Sequence, residues 1–306
     1  MIQAQETDVG EVSVFAKAYA LASEFTQPVI ISTRLHDGKV DCGVAAFVVL
    51  NPDGWILTAA HLWDSFVAHK AHLKELERYD TAVQGIETDT ALTARQKTKK
   101  LGELKSNPQW IVNHSFWWGW DRVREKGSCA RRDLDLAVAR LEPFDPAMVK
   151  AYPTIKDPSK NMHPGTSLCR LGYPFHEIQA TYDEKTRTFN LAPDALPLPR
   201  FPIEGIYTRN CIGGRSQDSK YEMKFLETSS PGLRGQSGGP IFDVNGTVWA
   251  IQSRTIHFPL GFSPKVRRDN REIEEHQFLS VGWGVHPEIL IAFLRDNNID
   301  FKLSDY

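Results

Sequence analysis

Gly232-Leu-Arg-Gly-Gln-Ser-Gly-Gly-Pro240 sets the reading of everything else in the chain. A serine hydroxyl is a weak nucleophile in water. To attack a carbonyl it must be aimed, relieved of its proton and opposed by donors that hold the oxyanion it creates. Glycines at 235, 238 and 239 permit a tight, partly positive-φ backbone, so the amides of Gly235 and Ser237 can converge on one point. The stretch therefore aims a nucleophile and stabilises an oxyanion, and the base must come from elsewhere.

Upstream, the apolar run from Gly43 to Leu50 is followed by Asn51-Pro-Asp-Gly54 and then Trp55-Ile-Leu-Thr-Ala-Ala-His61. This reads as strand, turn, strand, with His61 at the end of the second strand as the base. The segment Arg131-Arg-Asp-Leu-Asp-Leu-Ala-Val-Ala-Arg-Leu141 begins polar and then alternates, which predicts a strand carrying an acid. Asp133 and Asp135 would share one face of it by the two-residue period. Asp135 is the expected orienting acid and Asp133 the fallback. His114 lacks the Thr-Ala-Ala lead-in and is the weaker base.

In this order, Thr58-Ala-Ala-His61, Asp135-Leu-Ala-Val138 and Gly235-Gln-Ser-Gly-Gly-Pro240 make the chain resemble the trypsin/chymotrypsin-like serine proteases. Within them it is nearest the HtrA/Deg and glutamyl-endopeptidase types, because Gln236 stands where digestive enzymes carry an aspartate that pairs with a freed N-terminus. Leu168-Cys-Arg-Leu-Gly-Tyr-Pro174 resembles the strand that opens the second barrel in HtrA-like enzymes. The resemblance spans residues 28–63 and 128–296. It implies a mainly β fold of two six-stranded antiparallel barrels and a serine endopeptidase working through an acyl-enzyme. His61, Asp135 and Ser237 would be catalytic, with Gly235 and Ser237 as the oxyanion hole. The specificity wall would include Pro231, Gln252, Ser253, Arg254 and Thr255. Pro231 replaces the acid that binds Arg or Lys in trypsins, so a small or apolar side chain is expected before the scissile bond, Glu227 being the residue that could substitute for that acid. No metal or organic cofactor is required. The chain ends at Tyr306 without a PDZ-like segment.

Two other classes compete with this reading. A scaffold protein could keep the barrels and lose activity, although the intact His, Asp and Ser oppose that. A serine esterase of the α/β-hydrolase kind would run from Ser237 into a helix and take its base from His257, His276 or His286. Pro240-Ile-Phe-Asp-Val-Asn-Gly-Thr-Val-Trp-Ala-Ile251 reads instead as a hairpin with an Asn-Gly turn.

Composition sets the outer bounds. The chain has 306 residues, 41% of them hydrophobic and 24% charged, enough for one large or two small domains. A net charge of −2 and a pI near 6.6 give no reason to expect nucleic acid, and no apolar run approaches the length of a membrane span. Met1-Ile-Gln-Ala-Gln-Glu-Thr-Asp8 has no secretory pattern, so a cytoplasmic location is expected, with reduced cysteines at 42, 129, 169 and 211.

The remaining segments complete the expected organisation. Residues 10–25 read as an N-terminal helix within a leading segment 1–27. The first barrel covers 28–145, a linker 146–165, and the second barrel with a C-terminal helix 166–306. Residues 64–106 are rich in Lys, Glu, Ala and Leu and predict a helical hairpin broken near Gln84-Gly85. This insertion would be a solvated decoration or, as a functional element beside a protein or peptide substrate, a lid, an exosite or a docking element for a regulatory protein. His69 and His72 are expected on its surface rather than as metal ligands. Trp110-Ile-Val-Asn-His-Ser-Phe-Trp-Trp-Gly-Trp120 holds four of the eight tryptophans and is expected as edge strands packed on the insertion. Residues 181–200 and 212–220 read as loops.

Overall fold

The structure, a computed structural model, describes residues 14–268 and 271–306. The expected N-terminal helix starts partly outside that range; its described part is α1, Ala16–Phe25, whose Ala18, Ala22 and Phe25 recur at helical spacing and are buried. Thr26 ends it, its hydroxyl donating to the Ala22 carbonyl at 2.7 Å.

The first barrel is a six-stranded antiparallel sheet: β1 (Thr26–Leu35), β2 (Val40–Val49), β3 (Trp55–Thr58), β4 (Ile111–Trp118), β5 (Arg124–Arg131) and β6 (Leu136–Glu142), in the order β4-β1-β2-β3-β6-β5. Val48 pairs with Leu57 and Ile56 with Ala139. Alternate residues then face inward, where Val29, Phe47, Val49, Ile56, Ala139 and Trp118 form one apolar cluster.

Between β3 and β4 lie α2 (Asp64–Thr88) and α3 (Ala94–Glu103). The break falls at residues 89–93 and not at Gly85. A lone helical glycine costs only about 1 kcal/mol, whereas Thr93 and Gln96 form a capping box that starts a new helix. Neither helix buries a residue, and α2 leans on β4 along one seam. There His69 Nδ1 donates to the Ile111 carbonyl at 3.0 Å, and His72 Nδ1 accepts from the Ile111 amide at 2.9 Å. Both histidines are thus pins between α2 and β4, where a free helix surface was expected. The aromatic run forms β4, the sheet-edge strand beneath the insertion, as expected.

The second barrel is a closed ring of six strands: β8 (Ser167–Gly172), β11 (Phe201–Arg215), β12 (Glu222–Thr228), β13 (Pro240–Phe242), β14 (Val248–Pro259) and β17 (Phe278–Val285), closed by the β13–β14 pairing. Two two-residue strands, β7 (Thr154–Ile155) and β18 (Lys302–Leu303), extend it in parallel beyond β14. The presumed loop 181–200 contains a hairpin, β9 (Ala180–Asp183) with β10 (Thr188–Leu191), pinned by a Tyr182–Phe189 ring contact at 5.0 Å. β11 likewise runs on to Arg215, inside the stretch read as a second loop. A further hairpin, β15 (Lys265–Arg268) with β16 (Arg271–Glu274), stands between β14 and β17. The last helix, α4 (Pro287–Asp296), places Pro287 in its first turn and buries Ile289, Leu290, Phe293 and Leu294.

A shared core joins the barrels. Val48, Leu57, Leu136 and Val138 from the first meet Leu171, Phe242, Val248 and Ile251 from the second. Fixing the two against each other is what fixes a site built from both.

Candidate active site

β3 delivers its histidine by stopping. After Thr58 the chain turns into a single 3-10 turn, Ala60–Trp63, which swings His61 to the inter-barrel surface with its side chain 29% exposed. Thr58 makes this entry rigid, its hydroxyl donating to the Ala46 carbonyl at 2.7 Å.

Asp135 does not lie on a strand, which corrects the expectation that Asp133 and Asp135 share a strand face. Residues 132–135 form a turn closed by the Asp135 amide on the Arg132 carbonyl, and Asp135 sits at φ 56°. Aspartate tolerates the left-handed region better than most side chains. The turn separates the two acids. Asp133 binds Arg131 at 2.8 Å and accepts from the Gln217 amide at 3.0 Å. Asp135 is 2% exposed and faces His61. Its Oδ1 accepts from the His61 amide at 3.0 Å and Nδ1 at 2.9 Å, and its Oδ2 lies 3.1 Å from Nδ1. Oδ2 also accepts from the Ser253 hydroxyl. Burial pushes the Asp135 carboxyl up, and the bonds from His61 and Ser253 outweigh it, leaving it below the ordinary aspartate range. The acid is charged and its imidazole partner is held by one face.

Ser253 was expected only as a wall residue. Its nine-tenths burial and its bond to Asp135 make it a support for the acid, donated by the opposite barrel. Arg132 also escaped the sequence reading. It clasps Asp64 through Nε and Nη2 at 2.8 and 2.9 Å, with Nη1 3.7 Å from Asp135.

The loop bearing Ser237 is locked by its backbone. Ala46 donates to the Ser237 carbonyl at 2.9 Å, and Gly238 donates to Gln252 at 2.9 Å. Gly238 has φ 80°, and a Cβ there would stand 2.0 Å from Thr58 Oγ1 and 2.2 Å from the Ala46 carbonyl. The serine loop thus presses on the segment that leads into His61. Gly235, at φ 94°, likewise leaves no room beside the Tyr173 carbonyl, 2.2 Å from its would-be Cβ. Among the described residues, the amides of Gly235 and Ser237 donate to no protein acceptor, and the Ser237 hydroxyl makes no hydrogen bond to His61. Gln236 is fully buried, its side chain bridging the Leu233 amide at 2.9 Å and the Phe201 carbonyl at 3.3 Å. Gln236 is therefore a neutral brace beneath the serine loop.

Pro231, Gln252, Ser253, Arg254 and Thr255 all line one cavity of about 500 Å³ with Ser237. Thr255 ties its two walls together, the hydroxyl donating to the Gly232 carbonyl at 2.6 Å. Glu227 is not in it; it is bound by Arg209, Thr208 and Trp283. The remaining histidines are engaged elsewhere: His114 with Ser65, His257 with Ser280, His276 with Ser263, and His286 as the cap of α4. No cluster of three or more metal-ligating side chains occurs among the described residues. No described helix is long and apolar enough to cross a membrane.

Comparison with known proteins agrees on the family. The sequence model of a trypsin-like peptidase domain matches residues 45–251. No curated protein sequence matches the chain. Among solved structures, the active form of the Rv3671c protease from M. tuberculosis is similar over 99% of this chain and 96% of its own, at 12% identity and a TM-score of 0.47. The HtrA-type protease AlgW with tripeptide is similar over 92% of this chain, which spans only 62% of AlgW, at 12% identity and a TM-score of 0.45.

Proposed function

The chain belongs to the trypsin-like peptidase domain family, and from that premise we propose that it is a serine endopeptidase acting through His61, Asp135 and Ser237. One observation carries the assignment of roles. The buried Asp135 carboxylate holds His61 Nδ1 at 2.9 Å, which leaves Nε2 as the nitrogen able to take a proton.

Peptide bound beside Ser237 brings its carbonyl to the hydroxyl. His61 Nε2 takes the hydroxyl proton as Oγ attacks, and Asp135 stabilises the imidazolium. The free amides of Gly235 and Ser237 receive the oxyanion. His61 then returns the proton to the leaving amine, and water repeats the sequence on the acyl-enzyme. The buried bridge of Gln236 supports the further reading that no newly cut N-terminus is needed to order this loop. The insertion is the docking element proposed for a regulatory protein, because it starts three residues after His61 and neither of its helices buries a residue.

Labelling of the purified chain by a fluorophosphonate tests the assignment. Stoichiometric label at Ser237, absent from Ser237→Ala, together with cleavage of an unfolded protein, is expected. A wild-type chain that takes no label and cleaves nothing at any pH between 6 and 9 overturns it and leaves a barrel scaffold.

A further inference from the structure

The seam between α2 and β4 is made of imidazoles. His69 and His72, one turn apart on the helix, take both backbone groups of a single strand residue, the Ile111 carbonyl and the Ile111 amide. A third imidazole faces them from the strand. His114 Nε2 lies 2.9 Å from the Ser65 hydroxyl, and its ring stacks on that of His69 at 6.0 Å. Among the described residues, every side-chain hydrogen bond between α2 and β4 runs through one of these three histidines.

A proton acts against the seam at each of them. Only a bare ring nitrogen accepts from an amide, so a protonated His72 loses Ile111 and turns a donor toward a donor. His69 keeps its bond on protonation but brings a positive charge to the stacked His114 ring. His114 packs against Phe66 at 5.5 Å and Phe116 at 4.7 Å; burial there, and then the neighbouring His69, hold it at about 4. No carboxylate steadies the charged forms. Asp64 is taken by Arg132 and Glu75 by Arg78, and among the described residues none of the three histidines forms an ion pair. Lys70, over the Phe66 ring at 4.3 Å, adds a further cation beside them. From β1, Arg34 is turned to Asn113 and Glu184, and beyond its end His36 packs on Trp110 at 6.0 Å.

We propose that the insertion is an acid-released arm: with neutral imidazoles α2 lies on β4, and their protonation detaches it beyond Phe66, uncovering the strand face that carries His114 and Phe116. The foot of the arm stays in place, because Trp63 is buried and Asp64 is clasped by Arg132. His61 therefore keeps its setting while the helices beyond it move. On detachment His114 returns to the ordinary imidazole value near 6.5, so the detached form binds the proton first and gains on the closed form as pH falls from 6.5 to 4. Discounted for the partial exposure of the ring, this is about tenfold or more in the detached-to-closed ratio between pH 7 and 5. Release of the arm is independent of whether the chain cuts peptide bonds.

NMR-detected amide exchange on the full chain, carrying Ser237→Ala to prevent self-cleavage, tests this at pH 7 and pH 5. The Ile111 amide, whose acceptor is His72, reports release directly, and α2 frays once unpacked. Protection factors, corrected for the intrinsic rate at each pH, should fall about tenfold or more at Ile111 and across α2 beyond His69. Adding His72→Asn and His114→Gln puts an amide oxygen that does not titrate near each replaced ring nitrogen, and should hold that fall under about threefold. If the variant with both changes does not fold, His72→Asn alone should lessen the fall, and the unsubstituted seam still decides. A fall under threefold in the unsubstituted seam overturns the arm. So does a fall as large with both histidines replaced, or one matched in the core strand β6, which would mean general loosening by acid.

Discussion

Replacing Asp135 by asparagine isolates a single charge. The backbone accepts the change, because asparagine shares aspartate's tolerance of φ 56°, and the volume is unchanged. The amide oxygen can keep the His61 amide bond only by occupying the Oδ1 position, which turns the NH2 toward Ser253. In the other orientation it donates to Nδ1 and fixes the wrong tautomer. Either way the imidazolium loses its counter-charge. Two unit charges 2.9 Å apart in an effective dielectric of about 20 attract by roughly 5.7 kcal/mol, which is about four decades in rate. Steady-state kinetics with a fluorogenic peptide should therefore show kcat reduced about 10⁴-fold. Fluorophosphonate labelling should slow in parallel, with the melting temperature changed by no more than a few degrees. A loss under tenfold, with the fold intact, would refute the role given to Asp135 and reopen Asp133.

Arg132 is shared between the first residue of α2 and the acid, so its two neighbours pull in opposite senses. Arg132→Gln removes a cation near His61 and should move the acid limb of the kcat/KM profile up, whereas Asp64→Asn releases that cation and should move it down. Both groups are more than half exposed, so each shift is expected at about 0.2–0.7 pH unit, and shifts of the same sign would sink the idea. Gly238→Ala forces a Cβ into two fixed oxygens at positive φ and should cost about 3 kcal/mol or more, lowering the melting temperature by about 6 °C or more; an unchanged melting curve counts against the described loop. His286 is held at about 4 by burial, aided by Lys224. Its folded value lies below its unfolded one, so the unfolded chain binds the proton first and stability falls as pH drops from about 6.5 to 4. Between pH 7 and 4.5 this amounts to about 2 kcal/mol, measured as a denaturant midpoint that His286→Asn, which keeps the cap, should hold more nearly constant.

The candidate positions 61 and 237 were legible because each lies in a short segment whose local chemistry is self-sufficient. Thr58-Ala-Ala-His61 ends a strand, and Gly235 and Gly238 on either side of Ser237 take the positive φ that glycine permits. Asp133 and Asp135 were harder. Alternation suggested a strand, but a turn bonded to His61 and Gln217 overrides the period, and those partners are distant in sequence. Gly85 misled because a weak local penalty was weighed without the capping box eight residues on. The β9–β10 hairpin was hidden by a polar composition whose strand character comes from one cross-strand aromatic pair. Arg170 carried no signal at all: within Leu168-Cys-Arg-Leu-Gly172 it looks like an outward residue of a strand, and only the closing of the barrel turns it inward against Pro231.

The contribution of Ser253 to Asp135 bears on how a chain of this kind survives its own synthesis. His61 and Asp135 are translated early and lie in one barrel, yet the hydroxyl that completes the acid's partners and the proposed nucleophile Ser237 both come from the last quarter of the sequence. A ribosome-bound fragment carrying everything up to the second barrel has the histidine and the aspartate without the serine. On the proposed assignment, such a fragment would be unable to cut its neighbours or the unfolded segments still emerging beside it.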